Sequence, residues 1–414
     1  MELTKIIAEN ITRLLEENNL TQGELSSYLD ISRQTLSNYL KGTSTIDSVR
    51  LVRTAHFFDV PVSTLLEDPS PSKSSRSPML LRSVVRAHDP IANIESMVFE
   101  YLDRYEELTA TFGAYSKFLP EQHDLYLNHK GSRLSINYEL IKVSPAKFKI
   151  DEQLRNEIYH IADSQRRLLG LNDSGAIELI PALIQRGINV FFQDFQSDNI
   201  FGLSICDNAH GCCIFINNHV GIPIERQLFT VAHEFAHIIL HRPLFCAEDG
   251  APLSNQYIDL LDKMADEFAG RLLCPPEFVY PYVNYFNTPD ATLRSIFIPA
   301  VRLKRKLQIS LSSLLVSMNH YNMISKSIIS EYFRWANSTG NAQKEPYPIV
   351  EDKALKEYFE HARDSHVIDL LRRVHANKAI SVDAIMYFLD CDLQKANEIL
   401  TSLKSDLDDL SDFI

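Results

Sequence analysis

The chain has 414 residues, 45% of them hydrophobic and 23% charged, with a formal net charge of −13. That composition excludes a disordered chain. The absence of any run near the roughly 18 apolar residues of a membrane helix, with Glu2 and Lys5 inside an amphipathic N-terminal pattern unlike a signal peptide, predicts a cytoplasmic protein with no membrane partner. The net negative charge repels nucleic acid in bulk, so any DNA contact needs a local basic face.

In chain order, the expected fold is mainly α with a small β-sheet (α+β), beginning with an all-α domain at residues 1–67. Five short amphipathic helical stretches are expected there. In Leu20-Thr21-Gln22-Gly23-Glu24-Leu25, Thr21 is placed as an N-cap, and in Ile31-Ser32-Arg33-Gln34-Thr35-Leu36-Ser37-Asn38-Tyr39-Leu40-Lys41-Gly42, Ser32 is the cap and Gly42 the stop. A turn at Asp30-Ile31 joins the two helices. This pair, continued through Phe57-Phe58-Asp59-Val60-Pro61 to Leu66, resembles the XRE (Cro/C1-type) helix-turn-helix family. The resemblance implies binding to double-stranded operator DNA, with Arg33, Gln34 and Ser37 at base edges and Gln22 and Asn38 at phosphates. The bases Lys5, Arg13, Arg33, Lys41, Arg50 and Arg53 are outnumbered by acids, so the alternative is a protein-interaction module; the later bases could share one face.

Pro and Ser at 68–78 predict an exposed linker, followed by a helical connector at 79–150. Within it, Ile94, Val98, Tyr101, Tyr105 and Leu108 mark one face of a helix from Pro90 to Phe112, which could pack on the next domain or on a second copy of the chain, making a homodimer a candidate assembly. No role is assigned to 113–148. Helices are expected at Asp151–Leu169 and Ile177–Ile184, and strands at Ile188–Phe192, near Phe201–Ile205 and at Cys212–Ile216. The Gly202–Ile205 strand could pair with an extended substrate or be a plain sheet edge. The six cysteines lack C-x-x-C spacing and read as buried thiols, with Cys212 and Cys213 on opposite faces of a strand.

Glu225–His241 reads as one uninterrupted amphipathic helix carrying His233-Glu234-Phe235-Ala236-His237. Histidines four apart lie one turn above the other, so both can reach a single ion, and Glu234 is placed to reach a water beside it. His241 is about 12 Å along the axis from His233, too far to share that ion. Zinc needs a third protein ligand, and the helix Gln256–Leu273 offers Asp262 and Asp266 one turn apart, one to bind and one to orient a histidine.

Phe215-Ile216-Asn217-Asn218, the H-E-x-x-H helix and Ala265-Asp266-Glu267-Phe268-Ala269-Gly270 together resemble the ImmA/IrrE family of metallo-endopeptidases over a domain at 151–330. The resemblance implies one Zn2+ held by His233, His237 and Asp262, where the family has a longer Glu. It also implies Asp266 bonded to a ligand histidine, Glu234 as the catalytic acid–base, and a repressor or antitoxin-like protein as substrate. Residues 331–414 read as a second linker and a C-terminal helical domain whose acidic flanks favour packing or partner binding. The alternative for the whole chain is a non-enzymatic transcription factor or antitoxin with a degenerate metal site serving as sensor or dimerisation module.

Overall fold

The structure, a computed structural model, describes residues 3–17, 20–29, 31–41, 44, 46, 48–58, 65, 91–112, 149–197, 200–207, 211–241, 255–286, 291–338, 345–377, 380–389 and 391–411. The expected linker at 68–78, the 113–148 stretch, Asp30, Gly42 and Cys246 lie outside them. The chain forms two compact units, Met1–Arg76 and Ser77–Ile414.

The first unit contains α1 (Leu3–Glu17), α2 (Gln22–Tyr28), α3 (Arg33–Leu40) and α4 (Ser48–Phe57). The fifth expected stretch falls outside the described residues apart from Leu65. Both expected caps form. At α2 the Glu24 amide donates to Thr21 Oγ1 at 3.3 Å while the Thr21 amide donates back to the Glu24 carboxylate at 2.7 Å, satisfying two amides that the helix leaves open. At α3 the Thr35 amide donates to Ser32 Oγ at 3.0 Å. Ile11, Leu25 and Leu36, fully buried, join the helices in a core of their own.

The second unit runs through α5 (Ile91–Phe112), α6 (Glu152–Leu168), α7 (Leu179–Gln185), β1 (Asn189–Gln193), β2 (Gly202–Asp207) and β3 (Gly211–Asn217). It continues with α8 (Ile224–Ala236), α9 (Asn255–Leu273), α10 (Leu293–Leu307), α11 (Leu311–His320), α12 (Lys326–Ser338), α13 (Lys353–Asn377), α14 (Val382–Leu389) and α15 (Leu393–Ser411). The strand order is β1-β3-β2, with β3 parallel to β1 and antiparallel to β2.

Every residue of β3 is buried, because both faces of the sheet are covered. Alternation decides which residue goes where. Val190, Cys212, Ile214 and Ile216 face the core that holds α8 and α9, whereas Phe191, Leu203, Ile205, Cys213 and Phe215 face α5 and the C-terminal helices. The stripe on α5 therefore packs against the sheet of its own chain, with the Tyr101 and Tyr105 rings set edge-on to Phe191 at 5.0 and 4.9 Å.

Cysteine chemistry departs from expectation. Cys206 and Cys212 are joined in a disulfide, so they are not thiols. The cause is register: the β2–β3 hairpin sets these two residues directly opposite each other, a proximity that sequence spacing does not display. Cys213 and Cys274 remain buried thiols, and Cys391 is partly buried.

Candidate metal centre

The helix α8 starts after Pro223, which occupies the N-cap, and buries nearly every residue from Gln227 to Ala236. It does not continue regularly to His241 as expected; His237–His241 form a single π-helical turn. Such widened turns are uncommon and recur at functional sites. Here the turn carries His241 beneath His237, and their ring centroids are 4.9 Å apart.

His233 Nε2 and His237 Nε2 face each other at 3.1 Å, and Asp262 Oδ1 on α9 lies 3.5 Å from His237 Nε2. One ligand atom from each of these three residues lies within 4.8 Å of the others. Asp266, one turn further along α9, accepts a hydrogen bond from His233 Nδ1 at 2.9 Å. That bond places the ring proton on Nδ1 and leaves the Nε2 lone pair facing His237. On the far side of His237, its Nδ1 lies 2.9 Å from Nδ1 of His241. When His237 donates in that bond, its own Nε2 lone pair also points at the shared position.

Two imidazole lone pairs and a carboxylate then converge on one point, a donor set that suits a divalent cation of zinc's type. Burial, reinforced by the neighbouring imidazoles, pushes the pKa of His241 well below its ordinary value, so it is neutral and able to accept. For His233 burial opposes the charged form, but the Asp266 bond, with Glu234 and Asp262 nearby, raises the pKa overall.

Glu234 is completely buried. Its Oε2 accepts from Ser204 Oγ of β2 at 2.9 Å, and its Oε1 has no hydrogen-bond partner among the described residues. Burial pushes its pKa up to about 8 against the opposing pull of His233 and the Ser204 bond. A buried carboxylate oxygen without a partner beside two converging lone pairs is what a site built around a cation and a water would contain.

Ser204 and the supporting position of His241 were not anticipated. The signals were present: Ser204 is a lone polar residue between Leu203 and Ile205 in an apolar strand, and His241 stands four residues beyond His237 on the same face. Of the expected DNA contacts, Arg33 and Gln34 are exposed in the first turn of α3, Ser37 and Asn38 are half-buried behind them, and Gln22 is exposed at the start of α2. Gln34 Nε2 donates to Asn38 Oδ1 at 3.2 Å. The Arg33 side chain reaches back over α2, where a Cβ on Gly23 would lie 3.2 Å from its guanidinium. Two later bases are turned to the protein: Arg50 donates to the Tyr39 hydroxyl at 3.5 Å, and Arg53 donates to the Tyr28 and Leu29 carbonyls.

The molecule is thus of the class that couples a helix-turn-helix unit to a metallopeptidase-like site. Residues 8–70 match the helix-turn-helix domain family, and residues 185–319 match the IrrE N-terminal-like domain family. The chain joins an XRE-type helix-turn-helix domain to an ImmA/IrrE-type peptidase-family domain. No curated protein matches it. Among the described residues, no helix is long and apolar enough to cross a membrane.

Proposed function

We propose that this DNA-binding regulator is a zinc-dependent endopeptidase whose substrate is a repressor or antitoxin-like protein. The observation that carries the reading is the convergence of His233, His237 and Asp262 within 4.8 Å, next to the buried carboxylate of Glu234. When bound there, zinc supplies a Lewis acid that makes water nucleophilic at neutral pH and polarises a peptide carbonyl.

The chain's own residues do the rest. Glu234, oriented through Oε2 by Ser204, takes a proton on Oε1 and returns it to the departing amine. Asp266 and His241 hold the two imidazoles in the tautomers that ligation requires. Arg33, Gln34 and Ser37 read base edges while Gln22 and Asn38 hold phosphates, and tethering to DNA raises the peptidase concentration near operator-bound targets.

The test is Glu234→Gln. Cells carrying wild type or the variant would be compared by mass spectrometry of new protein N-termini, with operator binding followed on purified protein by gel shift. Expected are cleavage products present only with wild type, with DNA affinity unchanged. Identical N-termini in the two strains, from protein shown to contain zinc, would leave the metal site a sensor or structural element.

A further inference from the structure

A cavity of about 1150 Å³ opens beside the metal centre and meets it at Asp266, the carboxylate bonded to His233. Its charges are unevenly matched. The carboxylates on its wall are all engaged: Asp266 with His233, Glu267 with Arg155 and Tyr159, and Glu345 with Lys304 and the Leu311 amide. Arg155 is thereby neutralised, and Arg271 is held by both oxygens of Asp163 at 2.7 Å. Lys149 and Lys263 also line the wall, are exposed, and have no carboxylate partner among the described residues; Arg226 lines it too, held partly out of solvent, with no salt bridge among the described residues but with the Asp266 charge acting on it. The space left over therefore favours an anion.

Arg226 is the one of these three cations that is fixed in place. Its guanidinium lies 4.3 Å from the centroid of the Phe201 ring and 5.9 Å from that of Phe229, so stacking orients the planar fork, and a substrate carboxylate would share its charge with Asp266. It stands seven residues before His233 on α8, two turns along the same face, or about 10.5 Å. An extended peptide covers about 3.3 Å per residue, so that interval corresponds to about three residues.

We infer that Arg226 is a specificity residue that grips the side-chain carboxylate of an Asp or Glu in the substrate, two or three residues from the bond cleaved. This rests on the peptidase reading above. A planar guanidinium and a carboxylate pair through two parallel hydrogen bonds, a geometry that a neutral amide does not reproduce.

The experiment uses the zinc-loaded full-length chain and two random-sequence peptide pools that differ only in one fixed Glu or Gln. Cleavage is followed by mass spectrometry, and binding by fluorescence anisotropy on the Glu234→Gln protein. The Glu pool is expected to be bound and cut about tenfold better, with the acid two or three residues from the new terminus. Arg226→Gln is expected to erase the preference, and Arg226→Glu to transfer it to a matched Lys pool, in proteins that keep zinc content and helical circular dichroism. Equal treatment of the pools, a preference that survives Arg226→Gln, or competition by free glutamate with no peptide selectivity would overturn the inference. If neither pool is cut while the Arg226-dependent selectivity of binding persists, the peptidase reading fails and the carboxylate site stands.

Discussion

His241 is placed outside the ligand set and still decides whether His237 can join it. Only when Nδ1 of His237 donates to Nδ1 of His241 does Nε2 of His237 carry a lone pair facing His233 and Asp262. His241 then keeps its remaining proton on Nε2, a buried atom with no hydrogen-bond partner among the described residues. That arrangement has a cost in desolvation, which cation binding can offset. His241→Ala is expected to weaken zinc binding by about 10–100-fold without unfolding the protein, measured by competition against a chromophoric chelator. His241→Asn, whose amide oxygen can accept the same bond, should recover part of the loss; unchanged affinity in the Ala variant would disprove the tautomer argument. The spacing of His233 and His237 was readable because a helix has a fixed period. The π-turn and the partners Ser204 and His241 were not, since they depend on how a widened turn and a neighbouring strand pack on that helix.

Among the elements, β2 is the one whose placement governs the site, because it delivers Ser204 to Glu234. It can do so because its first residue is Gly202. A Cβ there would lie 2.5 Å from Thr230 Cγ2 on α8, closer than such atoms approach, and a tight 3.0 Å from the Phe215 carbonyl oxygen on β3. Gly202→Ala is expected to push β2 off α8, lengthen the Ser204–Glu234 bond and destabilise the second unit by about 1–3 kcal/mol. Urea denaturation followed by tryptophan emission would measure this, since Trp335 is the sole tryptophan of the chain and belongs to that unit; an unshifted midpoint would show that the strand has room to spare. The strands themselves were legible from their apolar runs and the Gly187 break. Their pairing was not, which is why the Cys206–Cys212 bond went unforeseen: a hairpin's register is set by its turn, whose residues carry no marker of which cysteine will stand opposite which. The stripe on α5 declared a buried face without naming its counterpart, and that counterpart is the sheet face bearing Phe191 and Phe215.

For the whole molecule, the physical question is whether the peptidase-type unit and the helix-turn-helix unit are energetically separate. Each has its own apolar core, the first around Leu25 and Leu36 and the second on both faces of the sheet, so each has a cooperative transition to lose. A ligand that binds only one folded unit stabilises that unit alone, by about 4 kcal/mol when its free concentration is a thousand times its dissociation constant. All three candidate ligands belong to the second unit. Scanning calorimetry of the zinc-loaded chain is therefore expected to show two transitions, of which chelation lowers one by several degrees and leaves the other in place. The unmoved transition can be assigned with Thr21→Ala, which removes the capping box of α2 and should lower the first unit's stability by about 1 kcal/mol. If chelation and Thr21→Ala shifted the same transition, metal occupancy and the DNA-reading fold would be thermodynamically linked, and by reciprocity operator binding would then change zinc affinity by the same factor.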